Sequence, residues 1–143
     1  MKKIFNSSEE MQAWAAELAT KLPAGTVLAL EGDLGAGKTT FTQGLARGLG
    51  VKVMVNSPTF VLLKIYKTKV KKFKKLIHLD AYRLNSGADL TAIGWQDYLR
   101  PENLVVVEWA DRVAAVLPKN SLILKFTLAG GRRRLLTFKK FPQ

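Results

Sequence analysis

The segment Gly32–Thr39 constrains the fold more than any other part of this sequence, and it reads GDLGAGKT. It matches the pattern G-x-x-x-x-G-K-S/T at every fixed position. Glycines at these positions permit backbone angles that turn successive N–H groups inward, which makes a concave site for an anion. Lys38 can reach the outer phosphates of a nucleotide as a cation, and the Thr39 hydroxyl is placed to bind Mg²⁺. The segment therefore predicts a phosphate-binding loop.

The residues on either side of this loop fit the same interpretation. The preceding run Thr26–Leu30 has the length of a strand and no polar interruption after its first residue, as in a strand covered on both faces. The residues that follow predict a helix from about Lys38 to Leu49, closed by Gly50. The N-terminus of such a helix offers its free N–H donors to the same phosphates. Strand, loop and helix in this order predict an α/β protein with the P-loop NTPase fold.

The remainder of the chain predicts a mixed, mostly parallel sheet flanked by helices. Ser7 and Glu10 have the spacing of a capping box at the start of a first helix. Two strands, Ser121–Leu128 and Arg132–Phe138, surround Gly130-Gly131 and predict a C-terminal β-hairpin. No repeat or linker is visible, so we expect one domain over residues 1–143. The other predicted elements are strands at Phe60–Tyr66, Leu76–Asp80 and Leu104–Val107 and helices at Asp89–Leu99 and Asp111–Val116.

The composition excludes several classes of protein. The chain has no cysteine and one histidine, which rules out a disulfide framework, a thiolate metal site and a cluster of several histidines. No apolar run approaches the ~20 residues that span a bilayer, and the N-terminus lacks the apolar core of a signal peptide. We therefore expect a soluble, cytoplasmic protein without membrane contact.

The charge of the chain is strongly positive. Its 23 Lys and Arg residues against 11 Asp and Glu residues give a formal net charge of +12. Such a charge favours anionic partners, which include nucleotides, nucleic acid and acidic protein surfaces, and does not by itself choose among them. Six lysines fall within residues 67–75, where we predict an exposed basic hairpin between two strands.

Two carboxylates end apolar strands and are candidates to complete the site. Asp80 ends one run and Glu108 ends another, and the carboxyl ends of parallel strands meet where ligands bind. One of the two would join the Mg²⁺ shell and the other would orient the attacking water, but the spacing leaves open which does which. Either could instead cap a helix or pair with a nearby arginine. His78 lies on the same strand face as Asp80, where it could hydrogen-bond within the site, although a packed structural role is the favoured interpretation.

Five segments together resemble one family closely. They are GDLGAGKTTF at 32–41, SPTF at 57–60, HLDAYRL at 78–84, GWQDYL at 94–99 and VEWADR at 107–112. Their order and spacing are similar to those of the bacterial TsaE family, the P-loop ATPase of tRNA threonylcarbamoyladenosine biosynthesis. The resemblance runs from the first helix to the last hairpin.

The resemblance implies a function, a set of partners and a set of site residues. TsaE-like proteins bind ATP or ADP with Mg²⁺, hydrolyse ATP slowly alone, and act with TsaB and TsaD, which make the modification beside the tRNA anticodon. By motif position, Thr39 and Glu108 would hold Mg²⁺ and Asp80 would position or activate water. The remaining implied nucleotide contacts are Gly35, Ala36, Gly37, Lys38, Thr39 and Thr40 at the phosphates and Ser8 and Arg132 on the adenine side.

Some features depart from the family pattern, and other functions stay open. The lysine hairpin is more basic than the family leads us to expect and could face tRNA, a partner or only solvent. Trp95 stands where an aliphatic residue is usual, so a partner surface could differ there. Another small P-loop NTPase or kinase is one alternative, although the guanine-reading Asn-Lys-x-Asp segment of GTPases is absent. A basic nucleic-acid-binding module, with Tyr66 and Phe73 interleaved among lysines, is the other.

Overall fold

The computed structural model describes residues 1–33, 35–53, 55–56 and 63–139. They form a seven-stranded sheet in the order β1-β7-β6-β2-β5-β4-β3. The strands are β1 (Lys2–Phe5), β2 (Val27–Gly32), β3 (Leu63–Lys67), β4 (Lys75–Asp80), β5 (Asn103–Glu108), β6 (Leu122–Leu128) and β7 (Arg134–Lys139). The helices are α1 (Ser8–Lys21), α2 (Lys38–Gly48) and α3 (Gly87–Ala92), with 3₁₀ helices at Trp95–Tyr98 and Ala110–Val116.

The four central strands, β6, β2, β5 and β4, run parallel. Strand β3 pairs antiparallel with β4, β7 pairs antiparallel with β6, and β1 pairs antiparallel with β7. This confirms the expected mixed, mostly parallel α/β sheet with a C-terminal β-hairpin, in which β6 pairs with β7. The fully apolar runs that predicted β2 and β5 are buried on both faces, as parallel strands covered by helices are. The expectation of a single domain over residues 1–143 stays a prediction.

Each face of the sheet carries its own hydrophobic core. On one face α1 and α2 pack against the even-numbered residues of β2, where Leu28 and Leu30 are fully buried. On the other face α3 and the two 3₁₀ helices pack against Val27 and Ala29. Among the described residues no helix is both long enough and apolar enough to cross a bilayer.

The first helix begins as its sequence predicts. Ser7 is its N-cap, and the Ser7 hydroxyl accepts a hydrogen bond from the backbone N–H of Glu10 at 3.1 Å. The Glu10 carboxylate accepts in turn from the backbone N–H of Asn6 at 3.4 Å. The first bond satisfies an N–H group that a helix start otherwise leaves without a partner, and the second ties the residue before the N-cap to the first turn of α1.

Helices α1 and α2 approach each other through glycines. A Cβ atom built on Gly44 would lie 2.6 Å from the Gln12 carbonyl oxygen and 2.8 Å from the Ala15 Cβ. Both are closer than real side-chain atoms come, so α2 can lie this near to α1 only with glycine at this position. The Gln12 amide also donates to the Gln43 side-chain oxygen at 3.2 Å across the same contact.

Several predicted elements differ in detail from those observed. The helical stretch predicted over Asp89–Leu99 is two pieces, because Gly94 at φ 76° ends the turn between them. The helix predicted at Asp111–Val116 is a 3₁₀ helix with a kink at Val113. Strand β1 was not predicted, since four residues with two lysines carry no periodic signal. Of the strand predicted at Phe60–Tyr66, residues 60–62 lie outside the described residues.

Candidate nucleotide-binding site

The glycine-rich loop leaves β2 and enters α2 with two left-handed residues that matter for its shape. Gly32 has φ 139° and Gly37 has φ 111°, values that L-amino acids with side chains rarely adopt. The Ala36 N–H donates to the Asp33 carbonyl at 3.1 Å, which tightens the turn between them. The first helical bond of α2 runs from the Phe41 N–H to the Gly37 carbonyl at 2.9 Å. The N–H groups just before Phe41 therefore lie at the open N-terminus of α2, where anions bind.

Lys38 folds back over the loop that contains it. Its Nζ donates to the Gly32 carbonyl at 2.6 Å and to the Asp33 carbonyl at 2.9 Å. The residue is only 5% exposed. Burial lowers the pKa of Lys38 from its usual 10.5, while nearby carboxylates, Glu108 foremost, raise it in opposition. An ammonium group held this way is poorly hydrated, so it gains more from an anion than an exposed lysine would.

Thr39, Glu108 and His78 form a buried chain of contacts below the loop. The Thr39 hydroxyl donates to Glu108 Oε1 at 3.0 Å. His78 Nε2 lies against Glu108 Oε2. Because a carboxylate can only accept, we assign the imidazole hydrogen to Nε2, which fixes the tautomer. Both His78 and Glu108 are nearly inaccessible, at 0% and 2% exposure.

The sheet register explains why these groups meet. Asp80 of β4 pairs directly with Glu108 of β5, and His78 pairs with Val106 two residues earlier. Residues two apart on a strand share a face, so His78, Asp80 and Glu108 all point to the side of the sheet that carries α2. Asp80 is half-buried, and its Oδ1 accepts from the Tyr82 N–H at 2.9 Å. The sequence predicted this meeting of two strand-end acids, and the register brings it about.

Trp109 closes the site on the side away from the loop. The backbone of Trp109 has φ 57°, which lies in the left-handed region that tryptophan rarely adopts. The Lys38 Nζ lies 4.2 Å from the centre of its ring, a cation–π contact. Tyr82 packs on the same tryptophan with ring centres 5.0 Å apart, and the Arg112 guanidinium lies 5.4 Å from the Tyr82 ring. Trp109 therefore packs over the lysine.

The residues expected on the adenine side lie at the surface beside the start of α1. Arg132 in the β6–β7 turn reaches Glu9, with Nη2 and Oε2 3.8 Å apart, and both side chains are more than three-quarters exposed. Ser8, next to Glu9, is exposed as well. One turn further along α1, the Met11 side chain packs against Gly37 of the loop. The two predicted contacts, Ser8 and Arg132, are thus brought to one rim, and their roles stay predictions.

Three other residues from the sequence interpretation have different outcomes. Trp95 is fully buried in the core under α3, so the expectation that it marks a partner surface is wrong. Tyr66 and Phe73 are also buried, at 7% and 0% exposure, and cannot stack on exposed bases. The segment SPTF at 57–60 lies outside the described residues, as does Leu34 in the loop. The sequence did not predict the Lys38–Trp109 contact, which has no sequence spacing of its own. A hydrogen bond of His78 within the site was the less favoured of two interpretations, and the structure shows one to Glu108.

The oxygen donors at this site fit a magnesium ion that shares its ligands with a bound nucleotide, and not a metal ion held by protein side chains alone. Within the described ranges no cluster of three or more His, Asp or Glu side chains could hold a metal ion. Thr39 and Glu108 offer two oxygen ligands that already touch. Mg²⁺ commonly takes one or two protein oxygens and completes its octahedron with waters and substrate phosphates. The donor set therefore suits Mg²⁺ arriving with a nucleotide.

The position of the glycine-rich loop, between a central parallel strand and the helix that follows it, places the chain in the P-loop class of α/β proteins. A family model described as threonylcarbamoyl adenosine biosynthesis protein TsaE matches residues 5–135. The chain belongs to this family.

Individual relatives agree with this assignment. The chain is 42% identical over 130 residues to a tRNA threonylcarbamoyladenosine biosynthesis protein TsaE from Bacillus subtilis, covering 91% of this chain and 79% of that protein. It is 37% identical over 136 residues to one from Treponema pallidum, covering 94% and 98%. A crystal structure of Bacillus subtilis YdiB matches with a TM-score of 0.81 at 37% identity, covering 96% of this chain and 83% of that one.

Proposed function

We propose that this chain binds ATP or ADP with Mg²⁺ and hydrolyses ATP slowly, as an accessory to the enzymes that make threonylcarbamoyladenosine in tRNA. The observation that carries the proposal is the alignment of Lys38, Thr39 and Glu108 at the end of the loop. A buried ammonium and a hydroxyl–carboxylate pair meet there beside a helix N-terminus. Each suits one part of a magnesium nucleotide: the ammonium and helix N-terminus suit phosphate oxygens, and the oxygen pair suits the cation.

In this proposal Lys38 binds the outer phosphates. Its ammonium now donates to two neutral carbonyls of its own loop. Phosphate oxygens are stronger acceptors for an ammonium group than neutral carbonyls are, because they add the attraction between opposite charges to the hydrogen bond. In this proposal the backbone N–H groups of Gly35, Gly37, Thr39 and Thr40 complete the phosphate contacts, and the Ala36 N–H joins them by leaving the Asp33 carbonyl to which it now donates. Trp109 over the ammonium limits its movement and excludes water from it.

Thr39 and Glu108 are the protein ligands proposed for Mg²⁺. The ion supplies neutralisation of charge on the phosphate oxygens when it is bound. His78 holds Glu108 Oε2, and the Thr39 hydroxyl lies 3.0 Å from Oε1 and 3.3 Å from Oε2 of the same carboxylate. Outer contacts of this kind orient a carboxylate before its ligand arrives. We assign His78 a positioning role and no contact with nucleotide.

Asp80 is the residue proposed to orient the attacking water. It stands directly beside Glu108 in the register and is half-buried rather than enclosed, so solvent reaches it. Its Oδ1 is fixed by the Tyr82 N–H, which holds the carboxylate at the strand end. Phosphoryl transfer needs positioning more than covalent chemistry, and one carboxylate placed on the water is enough for slow hydrolysis.

The family assignment supports the wider role. The relatives are tRNA threonylcarbamoyladenosine biosynthesis proteins, so we propose that this chain acts in the cytoplasm with TsaB and TsaD homologues and meets tRNA through them. In this role ATP hydrolysis resets the complex between turnovers and the chain does not itself transfer the threonylcarbamoyl group. A nucleic-acid-binding module finds less support, since Tyr66 and Phe73 are buried and unavailable for stacking.

The test measures ATP hydrolysis with and without the partners. The purified chain should hydrolyse ATP slowly in the presence of Mg²⁺, and the rate should rise when TsaB and TsaD are added together. The matched variant is Asp80→Asn, which keeps the size of the side chain and removes its charge. A fast rate without partners, or no stimulation by them, would contradict the accessory role. Equal rates for the variant and the natural protein would contradict the role of Asp80.

A further inference from the structure

A pocket on the far side of the molecule is formed by the residues just after α2 and the end of strand β3. It encloses about 420 Å³. We call it the lysine pocket, and its lining is residues 50–53 and 65–69. It shares no residue with the nucleotide site described above.

The charge around the lysine pocket is of one sign. The sequence has no Asp or Glu between Asp33 and Asp80, and ten Lys or Arg residues fall in that interval. Lys52, Lys67 and Lys69 line the pocket and are exposed. Within the part of the chain that the structure describes, none of these three forms a salt bridge.

The sheet register adds to this positive charge. Lys67 and Lys75 are directly paired across β3 and β4. Like charges placed opposite each other on neighbouring strands destabilise a sheet. A lysine at a sheet edge discourages aggregation, and two exposed lysines side by side repel each other, a repulsion that a nearby anion lowers. The arrangement is therefore matched to a negatively charged partner.

The lysine pocket also exposes two apolar side chains. Val53 is 62% exposed and Ile65 is 43% exposed, both among the lysines. Surfaces that bind single-stranded nucleic acid instead expose aromatic rings to stack on bases, and here the nearby rings of Tyr66 and Phe73 are buried. Apolar side chains surrounded by like charges are typical of a protein interface with an apolar centre and a charged rim. The chemistry favours an acidic protein segment over RNA.

The lysine pocket has a fixed shape. The Lys69 N–H donates to the Leu49 carbonyl at 2.8 Å, which ties the hairpin to the end of α2. The Lys74 N–H donates to the Glu102 carbonyl at 2.7 Å, and Phe73 between them is anchored in the core. A partner that binds here loses little free energy to ordering of this surface, because its backbone is already held.

We propose that the lysine pocket docks an acidic protein segment that inserts an apolar side chain between Val53 and Ile65. The lysines supply the rim that faces the partner's carboxylates. The inference rests on the proposed function in one respect. The binding experiment uses the TsaB–TsaD complex, proposed above as the partner, as its probe.

The experiment measures the affinity of the chain for the TsaB–TsaD complex by titration at low and at high salt. The first variant, Lys52→Gln/Lys67→Gln/Lys69→Gln, should weaken binding about tenfold at low salt and flatten the salt dependence. The second variant, Val53→Thr/Ile65→Thr, keeps β-branched side chains and should weaken binding about fivefold at both salts. Their control is Lys2→Gln/Lys119→Gln/Lys125→Gln, which removes the same charge from exposed lysines outside the pocket and should stay within about twofold of the natural chain.

The outcomes separate this inference from the proposed function. Binding by the natural chain with both pocket variants unaffected overturns the docking site and leaves the accessory role intact. No binding by the natural chain overturns both. If the control variant weakens binding as much as the lysine variant, the effect comes from overall charge. If only the lysine variant weakens binding, Val53 and Ile65 do not contact the partner. Either result overturns the proposal. A parallel titration with tRNA that loses affinity while TsaB–TsaD binding is unchanged would assign the pocket to RNA instead. Unchanged melting temperatures show that the variants fold.

Discussion

Replacing Lys38 by Met should separate the stability of the protein from its nucleotide affinity. Methionine keeps most of the volume and the unbranched shape of the side chain and removes the ammonium group. That group is enclosed at 5% exposure, where two carbonyls and the Trp109 ring offset its loss of hydration. Because burial is the largest influence on the Lys38 pKa and lowers it, these contacts do not fully compensate.

Two magnitudes follow for the Lys38→Met variant. The free energy of unfolding should change by no more than about 1 kcal/mol, since the several kcal/mol of desolvation of a buried charge disappear together with its hydrogen bonds. The Gly32 and Asp33 carbonyls are not fully buried and can bond to water instead. Nucleotide affinity should fall by about 3 kcal/mol, roughly 150-fold in Kd, since the phosphates lose charge-assisted hydrogen bonds.

The pH dependence of stability gives this prediction a second readout. With the folded-state pKa below 10.5, the unfolded chain binds more protons at Lys38 than the folded chain does between the two pKa values. Stability rises with pH wherever the unfolded state binds more protons, so the natural chain should gain stability relative to Lys38→Met as pH rises toward 10.5. Below the folded-state pKa the difference between the two proteins should be flat.

Chemical denaturation and calorimetric titration with ADP and Mg²⁺ measure the two quantities, and Lys119→Met, at an exposed lysine, is the control. The control should match the natural chain in its free energy of unfolding and in its ADP affinity. A Lys38→Met variant that binds ADP as tightly as the natural chain would refute the reasoning about the phosphates. A variant that loses several kcal/mol of stability would refute the reasoning about desolvation.

Other predictions test single parts of the account. Asp80→Asn should keep ADP affinity within about twofold and lower turnover by about 10²-fold or more, in binding and steady-state assays; weaker ADP binding would place Asp80 at the nucleotide instead. Thr39→Val should abolish the increase in ADP affinity that Mg²⁺ produces, whereas the affinity without Mg²⁺ should stay nearly the same. Gly44→Ala should destabilise the protein by about 1–3 kcal/mol in denaturant titrations although alanine favours helix, because the Cβ meets the α1 backbone. The control is Thr91→Ala at an exposed helix position, which should change the free energy of unfolding little. An unchanged denaturation midpoint for Gly44→Ala would contradict the prediction, because it would mean that the two helices move apart at no cost.

The parts of the fold that could be predicted are those with a local cause. The capping pair Ser7 and Glu10 and the uninterrupted apolar runs of β2 and β5 each carry their own signal, and each forms as predicted. Strand β1 could not be predicted, because its pairing with β7 joins opposite ends of the chain. The break at Gly94 could have been predicted from that glycine, which ends a helical turn in the left-handed region.

The candidate site divides in the same way. Lys38 and Thr39 follow from a motif, and Asp80 and Glu108 from their positions at strand ends. The contact between Thr39 and Glu108 joins residues 69 apart in the chain and depends on the strand order. The left-handed backbone of Trp109, which sets its ring over Lys38, has no sequence signal either, since tryptophan rarely adopts it.

Calorimetric titration of the folded chain with ATP or ADP, repeated with Mg²⁺ and with EDTA, decides whether the glycine-rich loop is a nucleotide site. We expect one nucleotide to bind per chain, with tighter binding when Mg²⁺ is present. Folded protein that takes up no adenine nucleotide under either condition would contradict this expectation.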